Sequence, residues 1–198
     1  QYFQSNSELF EQVIFDIKKL SGVGHFPLSK IPIYLIFDYK SDDNDINAWF
    51  SWMPKQSFVV VEIPFELKIP NRLFQLGILT HEFFHLILKQ NENLVLQIDQ
   101  TVEKNKGLLG KMSKGDISDK MFFEELLISS LVPEGYLSEK YFGFKVVADI
   151  SSPKDLLDWR RLIAFKMQQP AKKYISNVRQ IDKEYLEQLI VVIKENVK

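Results

Sequence analysis

Residues 71–89 most constrain how this chain folds, because apolar side chains there fall on nearly every face of a helix instead of along one stripe. Such a helix cannot lie on a surface and has to run through the middle of a domain. Three groups that resist burial interrupt it, in the pentad His81-Glu82-Phe83-Phe84-His85. Taking two imidazoles and a carboxylate out of water carries a desolvation cost that nothing evident nearby offsets. The pattern points to a bound cation.

Residues four apart on a helix share a face, one turn above each other, so His81 and His85 can present two ring nitrogens to a single metal ion. Glu82 lies about 100° further round the axis, where it reaches a water on the metal and not the metal itself. With one more protein ligand, zinc keeps its fourth position for water and lowers the pKa of that water toward ~7. Glu82 is then the expected catalytic base, taking the proton and passing it to a leaving amine. The chain contains no cysteine, so the ligands must be histidines and carboxylates. One zinc ion is the expected cofactor. The third histidine of the chain, His25, lies far upstream.

The pentad resembles the HExxH of the zincin peptidases, and more particularly of the gluzincins, which add a glutamate from a later helix. The residues after His85, Leu86-Ile87-Leu88-Lys89, lack the glycine and third histidine of the metzincin pattern. Upstream, Ile46-Asn47-Ala48-Trp49-Phe50 and Phe58-Val59-Val60-Val61-Glu62 resemble the sheet edge that precedes the active-site helix of small gluzincins. The resemblance spans about residues 31–139 and implies a zinc metallopeptidase acting on a peptide or protein. It also implies an edge strand that holds extended substrate by β-augmentation, which makes Val59, Val60 and Val61 the candidate substrate-binding residues. Tyr136 and, secondarily, Tyr141 are candidates for the hydroxyl with which gluzincins stabilise the oxyanion.

Three glutamates compete to be the third ligand. Glu125 is preferred because Phe122, Phe123, Leu126 and Leu127 surround it, as around the ligand of thermolysin-like enzymes. Ser129 stands one turn later, where those enzymes use Asp. Glu124 is the first alternative, lying closer to the stripe of Ile117, Met121, Ile128 and Leu131. Ser129-Ser130-Leu131-Val132-Pro133 resembles the ending of the glutamate helix in ImmA/IrrE-type zincins, which favours this helix without choosing between its glutamates. Glu134 is the second alternative, since Pro133-Glu134-Gly135-Tyr136 resembles the ligand segment of aminopeptidase-like gluzincins.

The remaining chain reads as an α+β plan: a zincin-like fold with a small, mainly antiparallel sheet on the buried helix, followed by an all-helical second half. Helices are expected at 7–20, 71–89, 93–112, 118–132, 152–168, 171–178 and 182–197, and strands at 31–37, 48–53 and 57–63. Asp42-Asp43-Asn44-Asp45 reads as a solvated turn, lacking the glycine and distal glutamate of a calcium loop. Residues 1–6 resemble a tag remnant. Residues 7–145 form the expected catalytic core and 146–198 a helical region packed on it. With 45% apolar residues, the 198-residue chain can bury a core. Its 25 basic and 26 acidic side chains are intermixed, which gives no electrostatic reason to expect nucleic acid as a partner. No apolar run suits a membrane span. The lack of disulfides leans toward the cytoplasm, with export compatible if a signal peptide was trimmed. The alternative to a peptidase is a zincin-fold regulatory or protein-binding module with little or no proteolysis.

Overall fold

The computed structural model describes residues 6–27, 30–38, 47–51, 56–64, 73–115, 117–145, 147, 150 and 153–197. The acidic turn at 42–45 and residues 1–5 of the tag-like segment lie outside them. Helix α1 (Ser7–Leu20) places Val13, Ile14, Ile17 and Leu20 on one buried face, as its apolar spacing dictates. Three strands follow: β1 (Ile33–Asp38), β2 (Asn47–Ser51) and β3 (Phe58–Pro64).

The sheet order is β1-β3-β2. Strands β2 and β3 pair antiparallel, with Trp49 opposite Val60, as two strand-forming runs separated by a few residues predict. Strand β1 instead runs parallel to β3, with Tyr34 also opposite Val60. The sheet is therefore mixed and not mainly antiparallel. Central β3 has both of its edges occupied, and Val59, Val60 and Val61 are buried, so these residues cannot receive an added peptide strand. The expectation of a substrate cradle at Val59, Val60 and Val61 is corrected on this point. Its physical cause is legible in hindsight: a continuous apolar run marks a strand covered on both faces, whereas a half-exposed strand alternates.

Helix α2 (Leu73–Leu88) carries the pentad. Leu76, Leu79, Phe83, Phe84, Leu86, Ile87 and Leu88 are buried around its circumference, and Phe83 meets the rings of Phe10 and Phe26 edge-on. After it come α3 (Glu92–Lys104) and α4 (Lys106–Ser113), where one helix over 93–112 was expected. The break falls at Asn105, whose side-chain amide donates to the Thr101 carbonyl at 2.8 Å. Its backbone has left the helical region, as a short amide competing for main-chain partners allows. Helix α5 (Asp119–Ser129) starts at Ser118, whose hydroxyl caps the Met121 N–H.

A short helix, α6 (Tyr136–Phe142), stands between the helices expected at 118–132 and 152–168, where the sequence reading placed none. Three more complete the chain: α7 (Leu156–Lys166), α8 (Gln168–Ser176) and α9 (Lys183–Asn196). Pro170 does not separate α7 from α8 but lies in the first turn of α8, where a missing N–H costs nothing. Trp159, Leu162 and Ile163 of α7 and Tyr185, Leu186 and Leu189 of α9 join the same buried cluster as α2 and α5. The Tyr185 hydroxyl lies 2.8 Å from the Ser130 hydroxyl, so α9 braces the end of α5 through a buried hydrogen bond. Among the described residues, no helix is long and apolar enough to cross a membrane.

Gly135 holds the approach to α6 in place. A β-carbon there would collide with the Ser130 carbonyl group, so only glycine lets the two backbone segments meet. Gly135→Ala is expected to lower stability by about 1–3 kcal/mol, the usual cost of overpacking. Thermal or denaturant unfolding reads this directly, and an unchanged midpoint would show that the close approach is not required.

Candidate metal centre

Burial of α2 turns the face bearing His81 and His85 toward α5, and it is there that Glu125 projects. Among the described residues, His81, His85 and Glu125 form one cluster able to hold a metal ion, their donor atoms lying within 4.8 Å of one another. The two Nε2 atoms are 3.2 Å apart. Glu125 Oε1 lies 3.1 Å from His85 Nε2, and its Oε2 lies 3.2 Å from His81 Nε2. Donors on a tetrahedral zinc at ~2.0–2.1 Å are themselves separated by roughly 3.3 Å, so the three residues fit that ion.

The protonation pattern agrees. His81 Nδ1 lies 3.2 Å from the Val132 carbonyl oxygen, which can only accept, so Nδ1 carries a hydrogen and Nε2 faces Glu125, to which it presents a lone pair or, in the charged ring, a second N–H. Lone pairs of nitrogen and carboxylate oxygen at this distance repel unless a cation, a proton or a metal, lies between them. Burial opposes ionisation of Glu125, but hydrogen bonds from His81 and His85 outweigh it and hold the carboxyl far below the usual range. Burial likewise disfavours a charged His85, yet Glu124 and Glu125 beside it raise its proton affinity. The Phe50 ring of β2 stacks on His85 with centroids 4.7 Å apart, which fixes the plane of the imidazole.

Glu82 occupies a different environment. It is buried and makes no hydrogen bond or ion pair among the described residues. Burial raises its pKa, and the nearby His81 and His85 only partly offset that. A carboxylate held in this way accepts a proton more readily than an ordinary glutamate, as a general base that must also return the proton requires. It opens on a cleft of about 300 Å³ lined by Asn47 and Ala48 of β2, His81, Glu134, Arg160 and Arg161 among others.

The remaining candidates separate. Glu124 stands on the far side of His85, where Lys89 Nζ donates to both of its oxygens at 2.8 Å. Glu134 borders the cleft but pairs with Arg160 at 3.0 Å and is outside the metal cluster. Tyr136 does not line the cleft; it is half-buried and packs against the core. Tyr141 donates its hydroxyl hydrogen to Asp16 at 2.7 Å. The expected oxyanion role of Tyr136 is therefore not supported, because α6 turns it to the core. A residue the sequence did not single out stands in the cleft instead. Arg160 of α7 donates through Nε to Ser129 Oγ at 2.8 Å, and its Nη1 lies 3.5 Å from Glu125 Oε2. No spacing rule links Arg160 to the pentad, since α7 is brought to α5 only by packing.

No protein-family model, no curated protein and no solved structure matches this chain. What the site does follows from its residues.

Zinc is expected to stabilise the wild type by about 2.7 kcal/mol at a hundredfold excess over Kd, read as a rise in its unfolding midpoint. His85→Ala and Glu125→Ala should abolish the rise, while Glu134→Ala keeps it. Zinc displaces a proton that His85 holds more tightly than an ordinary imidazole. The rise should thus be full above the folded-state pKa of His85 and fade as the pH falls through it. A rise that survives in Glu125→Ala would remove that residue from the site.

Proposed function

We propose that the protein is a zinc-dependent peptidase that hydrolyses peptide bonds with Glu82 as the general base. The observation that carries this reading is the convergence of His81 Nε2, His85 Nε2 and Glu125 within 3.2 Å, beside a buried glutamate that has no partner among the described residues. His81, His85 and Glu125 would hold the ion, in the manner of the gluzincins. Zinc bound there supplies Lewis acidity, polarising a carbonyl and making water a nucleophile near neutral pH.

The protein's own groups carry the protons and hold the substrate. Glu82 accepts the proton of the attacking water and returns it to the amine as the peptide C–N bond breaks. Its raised pKa suits both transfers. Strand β2 pairs with β3 along one edge only among the described residues, and Asn47 and Ala48 border the cleft. An extended peptide laid antiparallel or parallel to β2 can use the open main-chain groups of that edge. The substrate cradle thus moves from β3 to its neighbour. Arg160 brings a fixed positive charge to the same cleft, held by Glu134 and Ser129, and takes the electrostatic part first assigned to Tyr136.

Glu82→Gln should keep zinc at wild-type stoichiometry and lower turnover by about 10²–10⁴-fold, the range for a positioned acid–base group. Turnover undiminished in that variant, on a peptide the wild type cleaves, would sink the mechanism. Arg160→Met should lower kcat by about 10²-fold or more with a smaller change in KM, as for loss of a donor aimed at developing charge. A pure KM effect would instead make Arg160 a ground-state binding residue.

A further inference from the structure

The two imidazoles are supported unequally. His81 donates Nδ1–H to the Val132 carbonyl. His85 Nδ1, by contrast, is buried with no hydrogen-bond partner among the described residues, and the carboxylate oxygen facing it is Glu124 Oε2 at 3.8 Å. A histidine whose Nε2 takes a metal ordinarily gives its other N–H to an acceptor that fixes the ring. Ser129, one turn after Glu125, is engaged elsewhere, its hydroxyl oxygen accepting from Arg160 Nε at 2.8 Å.

Glu124 is 2% exposed on an otherwise apolar helix face. Lys89, one turn beyond His85 at the end of α2, pins both of its oxygens. An ionised carboxylate has about four acceptor positions, so the two bonds from Lys89 leave room for a third donor. Stability alone does not account for the pair, since buried ion pairs commonly do no better than apolar residues of the same volume. Phe50 stacks nearly parallel to the His85 ring, at 16°. That contact resists tilting of the imidazole but lets it slide in its own plane, the direction that would close the 3.8 Å gap.

We propose that Glu124, held by Lys89, is the positioning residue of His85: it accepts the Nδ1–H and keeps Nε2 turned toward His81 and Glu125. The role rests on the metal-site reading above. Glu124 is thereby not a competing ligand but the support of one. Its sequence trace is the tandem Glu124-Glu125 together with a lysine four residues after His85.

The test measures zinc affinity by chelator competition and, in metal-free protein, the imidazole nitrogen resonances of His85. Glu124→Gln should weaken zinc binding by about 10–100-fold, the usual effect of losing such a support, and should shift the Nδ1 resonance. Lys89→Met should do the same in smaller measure, and Lys89→Arg should restore affinity to within a few-fold of wild type. Lys89 is partly exposed, so its variants keep the test open should Glu124→Gln fail to fold. Asp16→Asn, which breaks a carboxylate contact with Lys140 and Tyr141 outside the cleft, serves as the control for general loss of stability and should leave zinc affinity unchanged. Wild-type zinc binding with Glu124→Gln and Lys89→Met both within twofold of it overturns the positioning role alone. Failure of the wild type to bind zinc overturns the metal reading and this role together.

Discussion

Helix α2 has no solvent-facing side over most of its length, so each ionisable group it carries must either find a partner inside the protein or be pushed by burial toward its uncharged form. His81, Glu82 and His85 are all less than a tenth exposed, in a helix otherwise packed with Leu, Ile and Phe. An unpaired charge in such a place is worth several kcal/mol of instability. The architecture around α2 can be understood as the set of elements that satisfy it: α5 brings Glu125 to both imidazoles, the loop after α5 brings the Val132 carbonyl to His81, and β2 brings Phe50 over His85.

Four glutamates gather here, and their environments divide the work. Glu125 faces two imidazole nitrogens, Glu124 faces a lysine, and Glu134 faces an arginine. Glu82 has no hydrogen-bond or ion-pair partner among the described residues, and burial shifts its pKa upward. Residues of one chemical type thus receive distinct roles from their surroundings, since a partner that favours the charged form removes a carboxylate from proton transfer at neutral pH. The brace from Tyr185 to Ser130 shows why the C-terminal helices belong to this arrangement: they set the end of α5, and α7 carries Arg160.

Much of the frame was legible in the residues. The apolar spacing of residues 7–20 predicts α1 with its observed bounds, and the hairpin of β2 and β3 follows from two β-rich runs flanking a turn. Less legible were features decided by competition between local and distant partners. Asn105 bonds back to Thr101 and splits one expected helix in two, and α6 exists because Gly135 lets the chain pass close to Ser130. The parallel pairing of β1 with β3, which removed Val59, Val60 and Val61 from the edge, involves residues some 26 positions apart, as in Ile33 opposite Val59. Periodicity within a strand carries no information on its neighbour's direction.

The sequence alone determined that two histidines and a glutamate share one buried helix, because a spacing of four is a statement about local geometry that the helix enforces by itself. It also narrowed the third carboxylate to three residues. Only the tertiary structure brought Glu125, and not Glu124 or Glu134, beside both imidazoles, put Arg160 and not Tyr136 at the cleft, and set Lys89 against Glu124. Those choices depend on how α5, α6 and α7 are rotated against α2. That rotation is fixed by side chains filling the core, whose shapes act jointly across the whole domain and leave no trace at any single spacing.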